Sequence, residues 1–260
     1  WGNFDKDEWE LFHLDVDRSQ TTNLAASEPE RLASLKDLWF YKAGLYNGLP
    51  LDDRSALEQV LAERPRAAAP RDQYVFYPNC ADVPESAGPA LPGRSYTIAA
   101  GVTLGTDAVE GVIWAAGGVP GGHSLYVKDG VLRYTFNWIG THLQDVIADR
   151  PLSAGGHVLA ADFTATGPST NPDMPGTAGT LTLYVDDEAV GSGEIITQPG
   201  YFCLTGDGIC VGRDSASAVT PEYTAPFPFT GGTIEKVVVD VSGEAYVDHE
   251  AQVRTWFSLD

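Results

Sequence analysis

The stretch Gly122 to Trp138, GHSLYVKDGVLRYTFNW, limits the folds open to this chain more than any other. Asp129-Gly130 stands between two runs of alternating polarity, a strong short-range signal for a hairpin with a two-residue turn. That turn sets Lys128 opposite Val131, Val127 opposite Leu132, Tyr126 opposite Arg133 and Leu125 opposite Tyr134. Successive side chains point to opposite faces of a strand. One face therefore carries Leu125, Val127, Leu132, Tyr134, Phe136 and Trp138. The other carries Ser124, Tyr126, Lys128, Arg133, Thr135 and Asn137 and is mostly polar. A lone hairpin cannot bury an apolar face of this size, so a second sheet must cover it.

The following segments supply strands for such a sandwich. Ser95 to Leu104 sets Tyr96, Ile98, Ala100, Val102 and Leu104 on one face, and Gly111 to Ala116 reads as a buried strand. His157 to Ala165 alternates, and Thr180 to Val190 reads as a hairpin turning near Asp187-Glu188. Ile234 to Val241 and Val253 to Leu259 are the last expected strands. Strands at this spacing with Gly/Pro turns predict a mainly β chain, an antiparallel two-sheet sandwich of the jelly-roll, concanavalin-like kind.

The N-terminal stretch differs. Trp9 to Leu14 reads as a short strand with apolar residues on both faces, and Asp15 to Asn23 as a polar loop. Ser27-Glu28-Pro29-Glu30 has the form of a capping box with Ser27 as N-cap. The helix it opens should stop at Asn47-Gly48. Its apolar positions, among them Leu35, Leu38, Trp39 and Leu45, form a stripe too wide for one short strand to cover. Ser55 to Glu63 reads as a second short helix, and Pro65 to Pro70 as a connector that cannot be helical throughout. The expected organisation is a strand-and-helix segment at 1–52, a linker with a short helix at 53–72 and the sandwich at 73–260.

The net charge of −20 argues against nucleic acid and anionic membranes as partners, because phosphate-rich surfaces would be repelled. No run approaches the ~18 apolar residues of a membrane span. The chain opens on Trp1 without a Met, as a fragment of a longer protein would.

Five scattered His show no metal-ligand spacing, and Asp15-x-Asp17 lacks the remaining ligands of a Ca²⁺ loop. Gly206, Gly208 and Gly212 do not make a dinucleotide loop, since a strand rather than a helix follows. A Gly206-Asp207 turn would set Cys203 opposite Cys210, so the two could form a cross-strand disulfide or remain buried thiols. Cys80 stays unpaired in both cases. Tyr126 and Trp256 lie opposite the apolar faces of their strands and are the better candidates for stacking on a sugar; burial in the core is the competing reading.

The stretch Trp9 to Ala25, WELFHLDVDRSQTTNLA, resembles the C-terminal subdomain of formylglycine-dependent (type I) sulfatases. Pro29 to Tyr46 and Leu49 to Arg54 are similar to the large bacterial arylsulfatases, which append a concanavalin-like sandwich. Arg94 to Ile98 (RSYTI), Ser124 to Gly130 (SLYVKDG) and Leu183 to Gly191 (LYVDDEAVG) resemble that sandwich. The resemblance implies a small α+β sulfatase segment before the sandwich, and a parent that is a sulfuric ester hydrolase with formylglycine and a divalent cation, Ca²⁺ or Mg²⁺. The family's formylglycine arises in a Cys-x-Pro/Ser-x-Arg motif. Cys80, Cys203 and Cys210 do not fit it, and the Asp-Asp metal motif is missing. No catalytic, cofactor-binding or metal-ligating residue is therefore assigned in this chain. The resemblance implies an α/β catalytic domain N-terminal to Trp1 as its partner. This piece would complete the catalytic fold, wall the substrate cleft or set homo-oligomer contacts. The alternative from another class is a stand-alone carbohydrate-binding sandwich.

Overall fold

The computed structural model describes residues 6–52, 54, 69, 71–105, 108–200, 207–215 and 217–243. The chain forms two compact units, Trp1–Glu63 and Arg64–Asp260.

The second unit is a two-layer antiparallel β-sandwich. In chain order its strands are β1 (Gln73–Phe76), β2 (Tyr96–Leu104), β3 (Gly111–Gly118), β4 (Gly121–Lys128), β5 (Val131–Trp138) and β6 (His142–Pro151). There follow β7 (Gly155–Pro168), β8 (Thr177–Val185), β9 (Glu188–Thr197), β10 (Ile209–Val211) and β11 (Gly232–Asp240). One sheet runs β1-β11-β2-β7-β8-β9, the other β10-β3-β4-β5-β6.

The organising hairpin has the register read from its turn: Lys128 pairs with Val131, Val127 with Leu132, Tyr126 with Arg133 and Leu125 with Tyr134. Asp129 (φ 54°) and Gly130 (φ 73°) both occupy the left-handed region, as this turn requires. Leu125, Val127, Leu132, Tyr134, Phe136 and Trp138 all enter the main core. They face Ile98 and Ala100 of β2, Phe163 of β7, Leu181 of β8 and Val237 of β11. Full burial of each large apolar side chain contributes about 1.5–3 kcal/mol, which makes this layer the main source of stability.

The other face of the hairpin is also covered, contrary to its polar composition. Residues 217–229 lie across it, and Val112, Ala115, Tyr126, Val219 and Tyr223 form a second apolar cluster there. The polar side chains beneath are hydrogen-bonded: Asn137 Nδ2 donates to the Val219 carbonyl (3.0 Å), and Tyr126 and Thr135 share a bond of 3.2 Å. Lys128 and Arg133 at the open end pair with Glu222.

At the β6–β9 edge the two sheets are joined by a side chain. Gln144 Nε2 donates to the Ile196 carbonyl (2.9 Å), and its Oε1 accepts from the Ile196 N–H (2.7 Å). One amide thus does the work of a strand residue, satisfying backbone groups that would otherwise need another partner. The β8–β9 turn is Asp186-Asp187, one residue earlier than expected, with Asp186 at φ 55°.

In the first unit, α1 (Pro29–Leu45) stops where the sequence indicated. Asn47 adopts φ 57° and the Gly48 N–H returns to the Ala43 carbonyl (2.7 Å). The start is different: Glu28 is the N-cap, without a side-chain cap bond, and Ser27 Oγ donates backward to the Leu24 carbonyl. Pro29 at the first helical position needs no partner for a missing N–H, which lessens the call on a side-chain cap. Trp9 to Leu14 forms no strand, and Leu14 begins a turn. Leu11 instead bonds to the following loop: its N–H donates to Asn23 Oδ1 (3.0 Å), and its carbonyl accepts from the Leu24 N–H (2.7 Å). The expected helix at Ser55 to Glu63 and strand at Val253 to Leu259 lie outside the described residues.

Candidate functional site

The sandwich carries a cleft of about 650 Å³ at the end of the sheet where β6, β7 and the β8–β9 turn meet. Arg150 and Ser153 stand on its β6 side, Asp186, Asp187 and Glu188 on the turn side, and His157 at the start of β7 between them. Pro151 and Val185 add apolar wall.

Each wall is fixed by bonds that the fold dictates. The His157 ring sits between two segments, with Nδ1 3.0 Å from Asp186 Oδ2 and Nε2 3.1 Å from the Ser153 carbonyl oxygen. Ser153 Oγ is 3.4 Å from the same Nε2. Asp186 is tied to β7 twice more: its Oδ1 accepts from the Val158 N–H (2.9 Å), and its own N–H donates to the Val158 carbonyl. The Val158 amide, and then His157, hold the Asp186 carboxyl below the usual carboxylate range. Across the mouth, Arg150 Nη2 meets Glu188 at 2.6 Å.

Ser153, His157 and Asp186 are the residue types of an acyl-transfer triad. Nε2 nevertheless lies closer to the Ser153 main-chain carbonyl than to its hydroxyl. A general base must have that nitrogen free for the nucleophile. The arrangement ties the β6–β7 connection to the β8–β9 turn through the His157 ring.

The first unit offers a second kind of surface. α1 has no buried residue, and Leu38, Trp39 and Phe40 are 51%, 38% and 46% exposed. Trp9 packs edge-on against Trp39 (5.8 Å between centroids), and Lys36 lies over the Trp9 ring at 5.3 Å. Leu11, Leu32 and Leu35 complete a groove of about 390 Å³. The 17-residue helix thus keeps much of its apolar surface exposed. The preceding loop is ordered by Asp17, whose carboxylate accepts from the Thr21 and Thr22 N–H groups, chiefly Thr21; these hold it below the ordinary range.

No protein-family model matches this chain, and no curated protein sequence does. Among solved structures the chain is similar to domains LG4–5 of the mouse laminin α1 chain (12% identity, TM-score 0.38), covering 77% of this chain and 48% of that one. It is similar to a heptameric SAP-like pentraxin from Limulus polyphemus (14%, TM-score 0.35), covering 73% of this chain and 84% of that one. A third is the receptor binding domain of botulinum neurotoxin type G (9%, TM-score 0.33), covering 63% and 38%. The chain thus spans about half of the laminin pair and less of the toxin domain. All three concern the sandwich fold alone.

Of the residues singled out from sequence, Tyr126, Cys80 and Cys210 are among those described. Tyr126 is 1% exposed: its ring packs edge-on against Tyr223 (5.2 Å), and burial pushes its hydroxyl up to about 12. Its ring faces are not open to a sugar, because the 217–229 segment covers the side that alternation alone assigned to solvent. Trp256 and Cys203 lie outside the described residues. Cys210 is a free thiol in β10, which pairs with β3; its Sγ is 3.1 Å from Ser215 Oγ, and burial pushes the thiol up. The possible Cys203–Cys210 pairing involves a residue outside the described ones. Cys80 is free as well. The cleft residues were not singled out from sequence. A signal existed in Asp186-Asp187, a turn pair whose first residue must tolerate positive φ and whose carboxylate can reach the adjacent strand.

Proposed function

We propose that this chain is the non-catalytic C-terminal portion of an arylsulfatase-like sulfuric ester hydrolase. The observation that supports this reading most is the first unit. The segment resembling the sulfatase C-terminal subdomain forms a loop and a helix in which no helix residue is fully buried and Leu35, Leu38, Trp39, Phe40 and Leu45 stay 38–55% exposed. So small a unit does not stabilise itself by hydrophobic burial. It suits a piece that completes a larger body through the Trp9–Trp39–Phe40 face. On this reading the catalytic domain precedes Trp1 in the parent and docks there, while the sandwich walls the substrate cleft or sets contacts between copies.

The residues present do not fit the family's reactive group. Cys210 is buried in a strand with Ser215 as its neighbour, and neither it nor Cys80 stands in the required motif. Formylglycine and the Ca²⁺ or Mg²⁺ ion belong, on this reading, to the preceding domain, and no catalytic step is assigned to this chain. The test is the coding sequence upstream of Trp1. A Cys-x-Pro/Ser-x-Arg motif in frame is expected; an upstream region without one overturns the assignment.

A second reading, a carbohydrate-binding sandwich module, is favoured by the cleft at Arg150 to His157. It is concave, lined by both apolar and polar groups, and built in advance of any ligand, as small-molecule sites are. Saccharide binding that maps to Arg150–His157 supports it. Binding confined to other surfaces counts against it.

A further inference from the structure

We propose that the β1 edge of the six-stranded sheet is an interface at which two copies of this chain pair antiparallel. The inference rests on the part of the proposed reading in which the sandwich sets contacts between copies, and it names the surface. A sheet edge presents unpaired N–H and C=O groups, so it is either covered, blunted or joined to another strand. The two sheets end in four edge strands, β1 and β9 in one, β10 and β6 in the other. Three of them are covered from within the chain. β6 and β9 close on each other: Gln144 takes the N–H and carbonyl of Ile196, and Gly191 lies so near the Ile147 carbonyl that a Cβ would meet it at 2.6 Å. β10 is covered by Val83, whose N–H and carbonyl exchange bonds with Ile209 (3.0 and 2.7 Å).

The fourth edge is β1. It pairs only with β11, with Gln73 opposite Asp240 and Val75 opposite Val238. The Val241 N–H donates to the Asp72 carbonyl (2.7 Å). Main-chain groups alternate in direction along an antiparallel strand, so those of Asp72, Tyr74 and Phe76 face β11. Those of Gln73 and Val75 point to the open side, where no main-chain partner stands among the described residues. Phe76 is buried in the main core and Tyr74 packs against it, while Val75 is 49% and Tyr77 60% exposed. Edge strands are commonly guarded by Lys, Pro or a bulge. Gln73-Tyr74-Val75-Phe76-Tyr77 has none of these, and it is a run without charge in a chain of net charge −20.

A second copy is the occupant this edge fits. Antiparallel pairing about Val75 sets it opposite the partner's Val75, and Gln73 opposite the partner's Tyr77. Outward main-chain groups then meet outward groups, and no like charges stand across from one another. Arg71 and Asp72, the nearest charges in sequence, fall at opposite ends of the paired strands. A charged peptide finds no complementary side chain on this stretch, whereas the two-fold arrangement is the self-complementary form common to soluble homodimers. A strand of four residues offers few bonds, so the contact belongs to the weak, reversible class. The acidity of each copy opposes approach at low salt, so screening strengthens the pair.

The test is sedimentation of the 260-residue chain from about 10 μM to about 1 mM, in low salt and in about 0.5 M NaCl, with hydrogen exchange followed at the Val75 amide. A monomer–dimer equilibrium that shifts toward dimer with salt is expected, with the Val75 N–H protected in the dimer and exchanging freely on dilution. Val75→Lys places a charge on the edge and should weaken the dimer at least about tenfold, while Val75→Thr keeps it. Leu38→Ser with Trp39→Ser should leave the dimer intact; loss of the dimer in that pair but not in Val75→Lys overturns the edge in favour of the α1 face. A monomer throughout the range overturns the proposal, and so does Val75 protection that persists on dilution, which would mean that the edge is closed within a single chain. None of these outcomes bears on the motif expected upstream of Trp1, so the sulfatase assignment is decided separately.

Discussion

The Nδ1 atom of His123 lies 3.0 Å from the hydroxyl oxygen of Tyr134, fully enclosed between the two sheets. Tyr134 in turn lies 2.6 Å from the hydroxyl of Tyr96. A polar chain thus crosses the middle of an otherwise apolar core, linking β4, β5 and β2. Burial lowers the His123 pKa to about 3 and raises that of Tyr134 well above its ordinary value.

This makes His123 a source of acid sensitivity. Its folded pKa is below that of the unfolded chain, ~6.5, so unfolded molecules take up the proton first. Its effect is absent above pH ~6.5, and stability is then lost progressively towards the folded value of about 3. At pH ~4.5 the loss is on the order of 3 kcal/mol, from 1.36 kcal/mol per unit. Urea unfolding at pH ~7 and ~4.5 should reveal a smaller difference in His123→Leu than in the parent chain. Equal differences would sink this assignment.

Asp214 has the opposite sign. Its carboxylate is buried, accepts from the Tyr223 hydroxyl (2.7 Å), and is raised chiefly by burial. A raised folded pKa contributes stability below the unfolded value of ~3.8, and that contribution is lost as pH rises through the folded value. Asp214→Asn removes the titration. The stability of the Asn variant relative to the parent should therefore rise between pH ~4 and ~7, measured by the same unfolding series. Tyr223→Phe removes the shorter of the two hydrogen bonds to the buried carboxylate, leaving the Val219 N–H, and is expected to cost about 1.5–3 kcal/mol.

The organising turn is checked more simply. Gly130 sits at φ 73°, where a Cβ is strained. Gly130→Ala should lower stability by about 1 kcal/mol, seen as a lower thermal midpoint with the same fold by circular dichroism.

The helix face gives a prediction of a different kind. No α1 residue is buried, so Leu38→Ser with Trp39→Ser should leave the sandwich's melting transition unchanged. The same pair should reduce binding of a hydrophobic dye by the isolated chain. A fall in the sandwich transition would show that this face is already covered within the chain.

The strands of the main core were legible because alternation and turn chemistry agree. Asp129-Gly130 fixed one register, and Tyr96, Ile98 and Ala100 marked the opposing face. The covering of the hairpin's other face was not legible. Tyr126, Ser124 and Asn137 stand on the polar face by alternation, and residues distant in sequence, among them Val219 and Tyr223, lie over them. Period-two patterns describe which face a side chain takes, not what arrives from ninety residues further along. Trp9 to Leu14 failed as a strand for a related reason: strand propensity needs a neighbouring strand, and here Asn23 and Leu24 take its hydrogen bonds. The cleft was hidden because His157, Ser153 and Asp186 are brought together by topology, across a strand end and a turn.

The most direct measurement is hydrolysis of an aryl sulfate by the purified 260-residue chain with Ca²⁺ or Mg²⁺ present, beside the longer protein that the proposal requires. Turnover by the longer protein and none by this chain is the expected result. Turnover that copurifies with this chain alone would contradict the proposed division of labour.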